Sequence, residues 1–158
     1  MTHLRAFGLE VDLPAGWDGE IYRRPGDATT SRRDAVSGDG TANAVAHLAN
    51  FPLPAERGDY GSGAVERMTA RDVLVCVLEF DREAAATAMF RHDGVPQFAD
   101  VDFAPHTMQR TIAGLSGAQA FFREQGRAFC AYAVIGATRL KAPLVAEVNR
   151  LLRTLRID

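Results

Sequence analysis

The run Val73–Phe80 (VLVCVLEF) constrains the fold of this chain more than any other segment. Seven of its eight residues are apolar, and Asp72 and Asp81 bound it. A strand with one solvated face alternates apolar and polar residues, whereas continuous apolarity is typical of a strand that is covered on both faces. The run therefore predicts the central strand of a sheet that has a protein layer on each side.

Further strands are indicated by short apolar or alternating segments. They are predicted over Leu9–Leu13, from about Glu20 onward, and over residues 44–51, 109–113, 118–124 and 127–135. A Pro-Ala-Gly-Trp turn separates the first two, which predicts an N-terminal β-hairpin. Gln125-Gly126 separates the last two, and a short turn with glycine available for positive φ predicts a second hairpin.

The C-terminal segment 142–155 predicts an amphipathic helix. Its apolar residues recur at steps of three and four: Leu144, Val145, Val148, Leu151, Leu152 and Leu155. Pro143 suits the first turn, where its missing N–H is not needed. Short helical turns are expected within 63–68 and 83–88. The sequence thus predicts an α+β fold, a mostly antiparallel sheet of about six or seven strands with this helix on one face. The helix leucines and five aromatic residues are expected in the core: Trp17, Phe51, Phe80, Phe122 and Phe129.

Composition narrows the class of protein and the compartment. A chain of 158 residues fits a single domain. Its net charge of −2 favours neither nucleic acid nor an anionic membrane as a partner. We find neither a signal-peptide apolar run nor a membrane-length one, and Cys76 and Cys130 lie in apolar runs typical of buried free thiols. The chain is therefore expected in the cytoplasm. The polar residues 25–42, rich in Gly, Ser, Thr and Asp, predict a flexible loop.

Both ends of the chain carry a pattern that resembles a known fold group. The opening residues Gly8, Val11, Pro14, Gly16 and Trp17, with the closing segment Leu151–Ile157, resemble the Mog1/PsbP-like group. That resemblance implies an antiparallel sheet covered by helices and a role as a binding or assembly factor, with no catalytic residue set to transfer. The segment Asn50–Glu66 (NFPLPAERGDYGSGAVE) is also similar to a family of uncharacterised actinobacterial proteins.

Side chains that could carry chemistry are scattered along the chain. The four histidines lack metal-ligand spacing, so no metal or cofactor is predicted. His47 lies within a predicted strand and is expected to be hydrogen-bonded there, with a base or ligand role as the alternative. Glu10, Asp12 and Glu79 are expected on solvated strand faces. Arg150 and Arg153 share a helix face that is expected to be ordinary solvated surface.

The densest group of polar residues lies in the segment that follows the third strand, called here loop 50–67. Glycines at 58, 61 and 63 let this loop turn sharply. The leading hypothesis is a non-enzymatic protein-interaction or assembly factor, in which Phe51, Leu53 and Tyr60 act as apolar anchors. The candidate partner-binding residues are Asn50, Phe51, Leu53, Arg57, Asp59, Tyr60, Ser62, Glu66 and Arg67. The partner is expected to be another protein, with a homo-oligomer also allowed.

Two other functions stay open on sequence grounds. The protein is alternatively a small-molecule-binding protein or an unrecognised enzyme, with a pocket between sheet and helix lined by His47, Asp59, Tyr60 and Glu66. A deep pocket with convergent buried polar groups would favour that function. The third alternative is a structural subunit of a larger assembly.

Overall fold

A computed structural model describes residues 1–24 and 43–158, so the loop predicted at 25–42 lies outside the described residues. Eight strands and one α-helix make up the described fold. The elements are β1 (Thr2–Ala6), β2 (Leu9–Leu13), β3 (Asp18–Arg23), β4 (Ala44–Ala49), β5 (Val73–Phe80), β6 (Ser116–Glu124), β7 (Arg127–Ile135), α1 (Lys141–Leu152) and β8 (Arg156–Ile157). Short 3₁₀ turns lie at Val65–Arg67, Arg82–Ala86, Ala88–Phe90, Asp100–Asp102, Pro105–Thr107 and Thr138–Leu140.

The strands form two antiparallel sheets, so the fold is α+β and dominated by its sheets. One sheet has five strands in the order β3-β4-β5-β7-β6, and the other has three in the order β1-β2-β8. The prediction that Val73–Phe80 is a central strand is confirmed, since β4 and β7 flank it. The β6–β7 hairpin across Gln125-Gly126 is also confirmed. Within the described ranges, no helix is long and apolar enough to cross a membrane.

The five-stranded sheet is covered on both faces by different structures. The helix face, which carries Val73, Val75 and Val77, packs against β2, α1 and β8. The loop face, which carries Leu74, Cys76 and Leu78, packs against segments 51–68 and 108–115. Among the described residues, one α-helix covers part of one face, and loop segments cover the other.

The helix prediction is confirmed, although α1 ends three residues earlier than expected, at Leu152 rather than Leu155. Leu155 is still buried, because the chain turns directly into β8. The hydroxyl of Thr154 donates to the Leu151 carbonyl at 2.8 Å and also accepts from the Asp12 backbone N–H at 3.2 Å. This contact fixes the end of the helix against β2.

The predicted N-terminal hairpin between Leu9–Leu13 and the next strand is wrong. β2 pairs with β1 and β8, whereas β3 pairs with β4 in the other sheet. The Pro-Ala-Gly-Trp turn, closed by a hydrogen bond from Trp17 N–H to the Pro14 carbonyl at 3.1 Å, carries the chain from one sheet to the other. The true N-terminal hairpin turns at Phe7 and Gly8, both with positive φ.

A second correction concerns residues 109–113, which form no strand. The Gln109 N–H donates to the Tyr132 hydroxyl at 3.0 Å, and Met108, Ile112 and Leu115 pack onto the loop face. The apolar residues of this segment therefore cover the sheet instead of extending it. The five aromatic residues expected in the core are not equally buried. Phe51, Phe122 and Phe129 are buried, whereas Trp17 and Phe80 are half-buried.

The outer edge of β6 is bridged by loop residues at two points. Ala104 exchanges two backbone hydrogen bonds with Gly117, at 2.9 and 3.0 Å. Arg123 donates its N–H to the His92 carbonyl at 2.8 Å and accepts from the Gly94 N–H at 2.8 Å. Between these points the chain leaves the edge, and Phe98 bonds through both backbone groups to the Asn149 side chain of α1 at 2.8 Å.

Candidate functional site around loop 50–67

Loop 50–67 lies across the loop face of the five-stranded sheet. Asn50 begins it by accepting the Val73 N–H at 2.8 Å and donating to the Arg71 carbonyl at 3.0 Å. The Leu53 N–H then donates to the Asp18 carboxylate at 2.9 Å. Phe51 is only 8% exposed and packs into the core cluster of the loop face. The apolar residues of the loop thus serve first as the cover of the sheet.

His47 lies at the centre of the contacts beneath this loop. It is fully buried on the loop face of β4, and its Nδ1 accepts a hydrogen bond from Arg57 Nε at 2.9 Å. Its Nε2 donates to the backbone carbonyl of Asp59 at 2.8 Å. These partners assign a neutral imidazole with its proton on Nε2. Burial lowers the pKa of His47, and the positive charge of Arg57 acts in the same direction.

Arg57 ties three parts of the structure together. Its guanidinium is nearly buried, with 6% of the side chain exposed. Besides its bond to His47, it donates to Glu20 on β3 at 3.0 Å and to the Pro54 carbonyl within the loop. One side chain therefore joins β3, β4 and loop 50–67.

Tyr22 on β3 completes this group, which we call the His47 network: Glu20, Tyr22, His47, Arg57 and Asp59. Its hydroxyl donates to Asp59 Oδ1 at 2.7 Å, and its ring meets the His47 ring edge-on at 5.3 Å. Burial, reinforced by the Asp59 carboxylate, raises the pKa of Tyr22. Sequence reasoning named His47, Arg57 and Asp59 but missed Glu20 and Tyr22. Only the β3–β4 register, which sets Glu20 opposite His47, brings them into the network.

The remaining predicted site residues lie outside the His47 network. Tyr60 is half-buried and packs edge-on against Tyr132 with ring centroids 5.4 Å apart. Glu66 accepts the Gly63 N–H at 2.6 Å and meets Arg110 at 3.4 Å. Ser62 and Arg67 are exposed. The alternative pocket of His47, Asp59, Tyr60 and Glu66 is therefore not one convergent group, since Glu66 turns to the loop surface.

Cys76 lies beneath the turn of the loop at Gly61. Gly61 has φ +86°, and a Cβ atom placed on it would lie 2.5 Å from Leu74 Cδ2 and 3.5 Å from Cys76 Sγ. Cys76 and Cys130 are both free and buried, as predicted. Burial raises the pKa of both thiols, to about 12 for Cys130, which keeps them protonated and unreactive near neutral pH.

The prediction that Glu79 is solvated is wrong. Glu79 is fully buried and paired with Arg127, because position 79 falls on the helix face beneath the three-stranded sheet. Glu10 and Asp12 are half-buried and pair with His3 and Arg156. These carboxylates are therefore held in ion pairs rather than arranged around a substrate-sized space.

An open surface cleft of about 630 Å³ lies apart from loop 50–67. Its lining includes an ion pair in which Arg123 Nε donates to Asp93 at 2.6 Å. The lining residues are Arg82, Ala85, Ala86, Asp93, Gly94, Arg123, Glu124, Gln125 and Gly126. Among residues 1–24 and 43–158, no three His, Cys, Asp or Glu side chains are grouped as a metal site would need.

Neither a family model, nor a curated protein, nor a solved structure matches this chain. What the site can do therefore follows from its own geometry. The donors and acceptors of the His47 network satisfy one another, so the network holds the loop in place. Besides Glu20, which is exposed, polar groups that face solvent lie at the rim of loop 50–67, chiefly Glu56, Ser62, Glu66 and Arg67.

Proposed function

We propose that this protein is a non-enzymatic interaction or assembly factor that contacts another protein through loop 50–67. The observation that carries the proposal is the way the loop is held. Its inner side is fixed by a buried histidine and a nearly buried arginine, while its outer rim is polar and exposed. The loop thus has a defined shape before any partner arrives.

A loop fixed in advance suits binding for an energetic reason. Ordering a mobile side chain at an interface costs about 0.5–1.5 kcal/mol, and a preorganised surface avoids part of that cost. The rim also offers chemistry for recognition, since Glu66 and Arg67 present opposite charges side by side. Leu53 and Tyr60 are half-buried and add apolar area next to these charges, whereas Phe51 acts from the core by holding the loop.

We also propose that the fold belongs with the Mog1/PsbP-like group. The support is the arrangement of the two chain ends. Gly8 lies in the β1–β2 turn, Trp17 follows the turn between the sheets, and α1 leads into β8 beside β2. Binding and assembly roles are what that group implies, which agrees with the function proposed for loop 50–67.

The test is affinity capture from native lysate, with the protein compared to a Glu66→Gln/Arg67→Gln variant. The side-chain amide oxygen introduced at position 66 still accepts the Gly63 N–H, so the turn is kept while both rim charges are removed. Asp59 and Tyr60 are left intact, because their substitution would disturb the packing that holds the loop. A Glu83→Gln/Arg91→Gln variant, which removes one exposed acid and one exposed base elsewhere, is the matched control.

We expect a partner that the wild type and the control retain and the rim variant loses. The purified partner should then bind the rim variant at least about tenfold more weakly, the effect of losing roughly 1.4 kcal/mol. Size-exclusion chromatography of the three proteins identifies the case in which the partner is a second copy of the chain. Equal binding by all three proteins would place the interaction away from the rim and overturn the proposal.

A further inference from the structure

The two ring nitrogens of His47 are both engaged, and only one of them carries a proton. Nε2 donates to the Asp59 carbonyl at 2.8 Å, and the Tyr22 hydroxyl lies 3.4 Å from the same nitrogen. Nδ1 is occupied by the N–H of Arg57 at 2.9 Å. A second proton could enter only at Nδ1, where it would point at the hydrogen that Arg57 already donates.

We propose that His47 is an acid-sensitive latch for loop 50–67, in which protonation of Nδ1 displaces Arg57 and releases the loop from the sheet. Only proton binding is involved, and no covalent bond is made or broken. The latch goes beyond the proposed function because it concerns control of the loop and holds whether or not a partner is present.

The charges around His47 favour release over accommodation of a second cation. On the loop, Arg57 is positive and in direct contact, while Asp59 already accepts the Tyr22 hydroxyl. On β3, the Glu20 carboxylate is engaged by Arg57. On β5, Cys76 is the cross-strand neighbour and is a neutral thiol. Asp59 and Glu20 favour the charged ring, but burial and the positive charge of Arg57 outweigh them, so a second buried cation beside Arg57 is disfavoured.

Release of Arg57 would loosen several loop contacts together. The same guanidinium holds the Pro54 carbonyl and Glu20, so all three of its attachments depend on one position of the side chain. The charged imidazole is also buried, and a buried cation without a partner gains from reaching water. Opening the loop gives the ring that access, and it uncovers Cys76 beneath Gly61.

The latch predicts a specific pH dependence of local opening. His47 in an open loop takes up a proton near its ordinary pKa of 6.5, whereas in the closed loop it does so only at lower pH. The equilibrium constant for opening should therefore rise as the pH falls below about 6.5, by at most about tenfold per pH unit for one proton. Above that pH the opening constant should be flat.

Hydrogen exchange of the full chain between pH 7.5 and 5 tests this prediction, with each rate divided by the intrinsic rate at that pH. The reporter amides are Gly58, Gly61 and Ala64, which hydrogen-bond within the loop, and the internal reference is Val73–Phe80. We expect the protection of the loop amides to fall below pH 6.5 while that of the reference strand is kept. Protection that is constant over this range, or lost equally in the reference strand, would overturn the latch.

Two variants separate His47 from other titrating groups. His47→Gln retains one donor and one acceptor without a titrating proton, so its loop protection should not vary with pH over this range. His106→Gln removes an exposed histidine and should behave as the wild type does. A pH-dependent loss in His47→Gln equal to that of the wild type would contradict the proposal.

A measurement on the wild type alone keeps the test independent of whether the variant folds. Imidazole ¹⁵N spectra should show His47 protonated on Nε2 at pH 7.5. His47 should become doubly protonated only at a pH at which the loop amides have already lost their protection. A doubly protonated His47 under a fully protected loop would overturn the latch. The partner capture described above does not bear on this result, so the two proposals can fail separately.

Discussion

The Arg127 guanidinium and the Glu79 carboxylate form a bidentate ion pair in which neither side chain reaches solvent. Nε lies 2.8 Å from Oε2 and Nη2 lies 2.9 Å from Oε1, with the two side chains 1% and 0% exposed. Arg127 also donates to the carbonyls of Phe7 at 2.9 Å and Asp158 at 3.1 Å. The pair therefore joins the five-stranded sheet to the β1–β2 turn and to the segment after β8.

Removing one member of this pair should destabilise the protein strongly. Glu79→Gln removes the negative charge from this pair and keeps the buried Arg127 charge, so we expect the free energy of unfolding in urea to fall by about 3–5 kcal/mol. The double variant Glu79→Met/Arg127→Met removes both charges, and its loss in free energy of unfolding should be less than the sum of the losses in Glu79→Met and Arg127→Met. Asp93→Asn, which breaks the solvent-exposed pair with Arg123, is the control and should have a much smaller effect. Strictly additive losses would show that the buried charges are not coupled.

Tyr22 should make the free energy of unfolding depend on pH in the alkaline range. Its pKa is raised above the ordinary 10.0, first by burial and then by Asp59. An acid whose pKa is raised in the folded state contributes stability that is complete below the unfolded pKa and is lost as the pH rises through the folded pKa. The free energy of unfolding of the wild type should therefore decline above about pH 10.

The matching variant is Tyr22→Phe. At pH 7 its free energy of unfolding should be about 1–2 kcal/mol lower than that of the wild type, because the hydrogen bond to the Asp59 carboxylate is gone. Above pH 10 the stability of this variant should decline less steeply than that of the wild type. Tyr60, Tyr132, Cys76 and Cys130 account for the slope that remains, since burial raises the pKa of all four. Urea unfolding at pH 7, 10 and 11 measures the difference. Parallel curves above pH 10 would rule out a contribution from Tyr22.

Gly61→Ala should loosen the loop above Cys76. The new methyl group would meet Leu74 Cδ2 at 2.5 Å and would also force a non-glycine residue to φ +86°. Gly16→Ala is the matched control, because Gly16 has φ +83° but no atom within 4 Å of the new Cβ. We expect Gly61→Ala to be the less stable of the two by about 1–3 kcal/mol, the usual cost of overpacking. The Cys76 thiol should also react faster with Ellman's reagent in Gly61→Ala. Equal stability and equal thiol reactivity in the two variants would argue against the close contact between position 61 and Leu74.

The elements that follow from the sequence are those whose signal is local. Val73–Phe80 is continuously apolar because both of its faces are covered, and the leucines of α1 recur with the helical period. Strand pairing is not local. β1 is an edge strand whose residues are mostly exposed, so Thr2–Ala6 shows no apolar alternation. The sequence therefore predicts β3 as the partner of β2, whereas the true partner is β1. A turn that connects two sheets has the same composition as a turn within a hairpin.

The candidate site was predictable only in part, for the same reason. His47, Arg57 and Asp59 lie close together in the chain, and their polar character stands out against the apolar strand. Glu20 and Tyr22 join them only through the β3–β4 register. The sequence predicts Glu79 to be solvated because it is the one charged residue in an apolar run. Glu79 and Arg127 lie on the same face of the five-stranded sheet, and the three-stranded sheet covers that face. This cover is not visible in the sequence around Glu79.

The two bridges on the outer edge of β6 have a consequence for self-association. Alternate residues of a strand direct their backbone groups to the same side. With Gly117 and Arg123 already bonded to Ala104, His92 and Gly94, the outward groups between them belong to Gln119 and Phe121. Another strand laid along β6 would have to displace a bridge at each end before it could pair over any length. The two bridges therefore protect this nine-residue edge strand from pairing with a strand of another molecule, which is a route to aggregation.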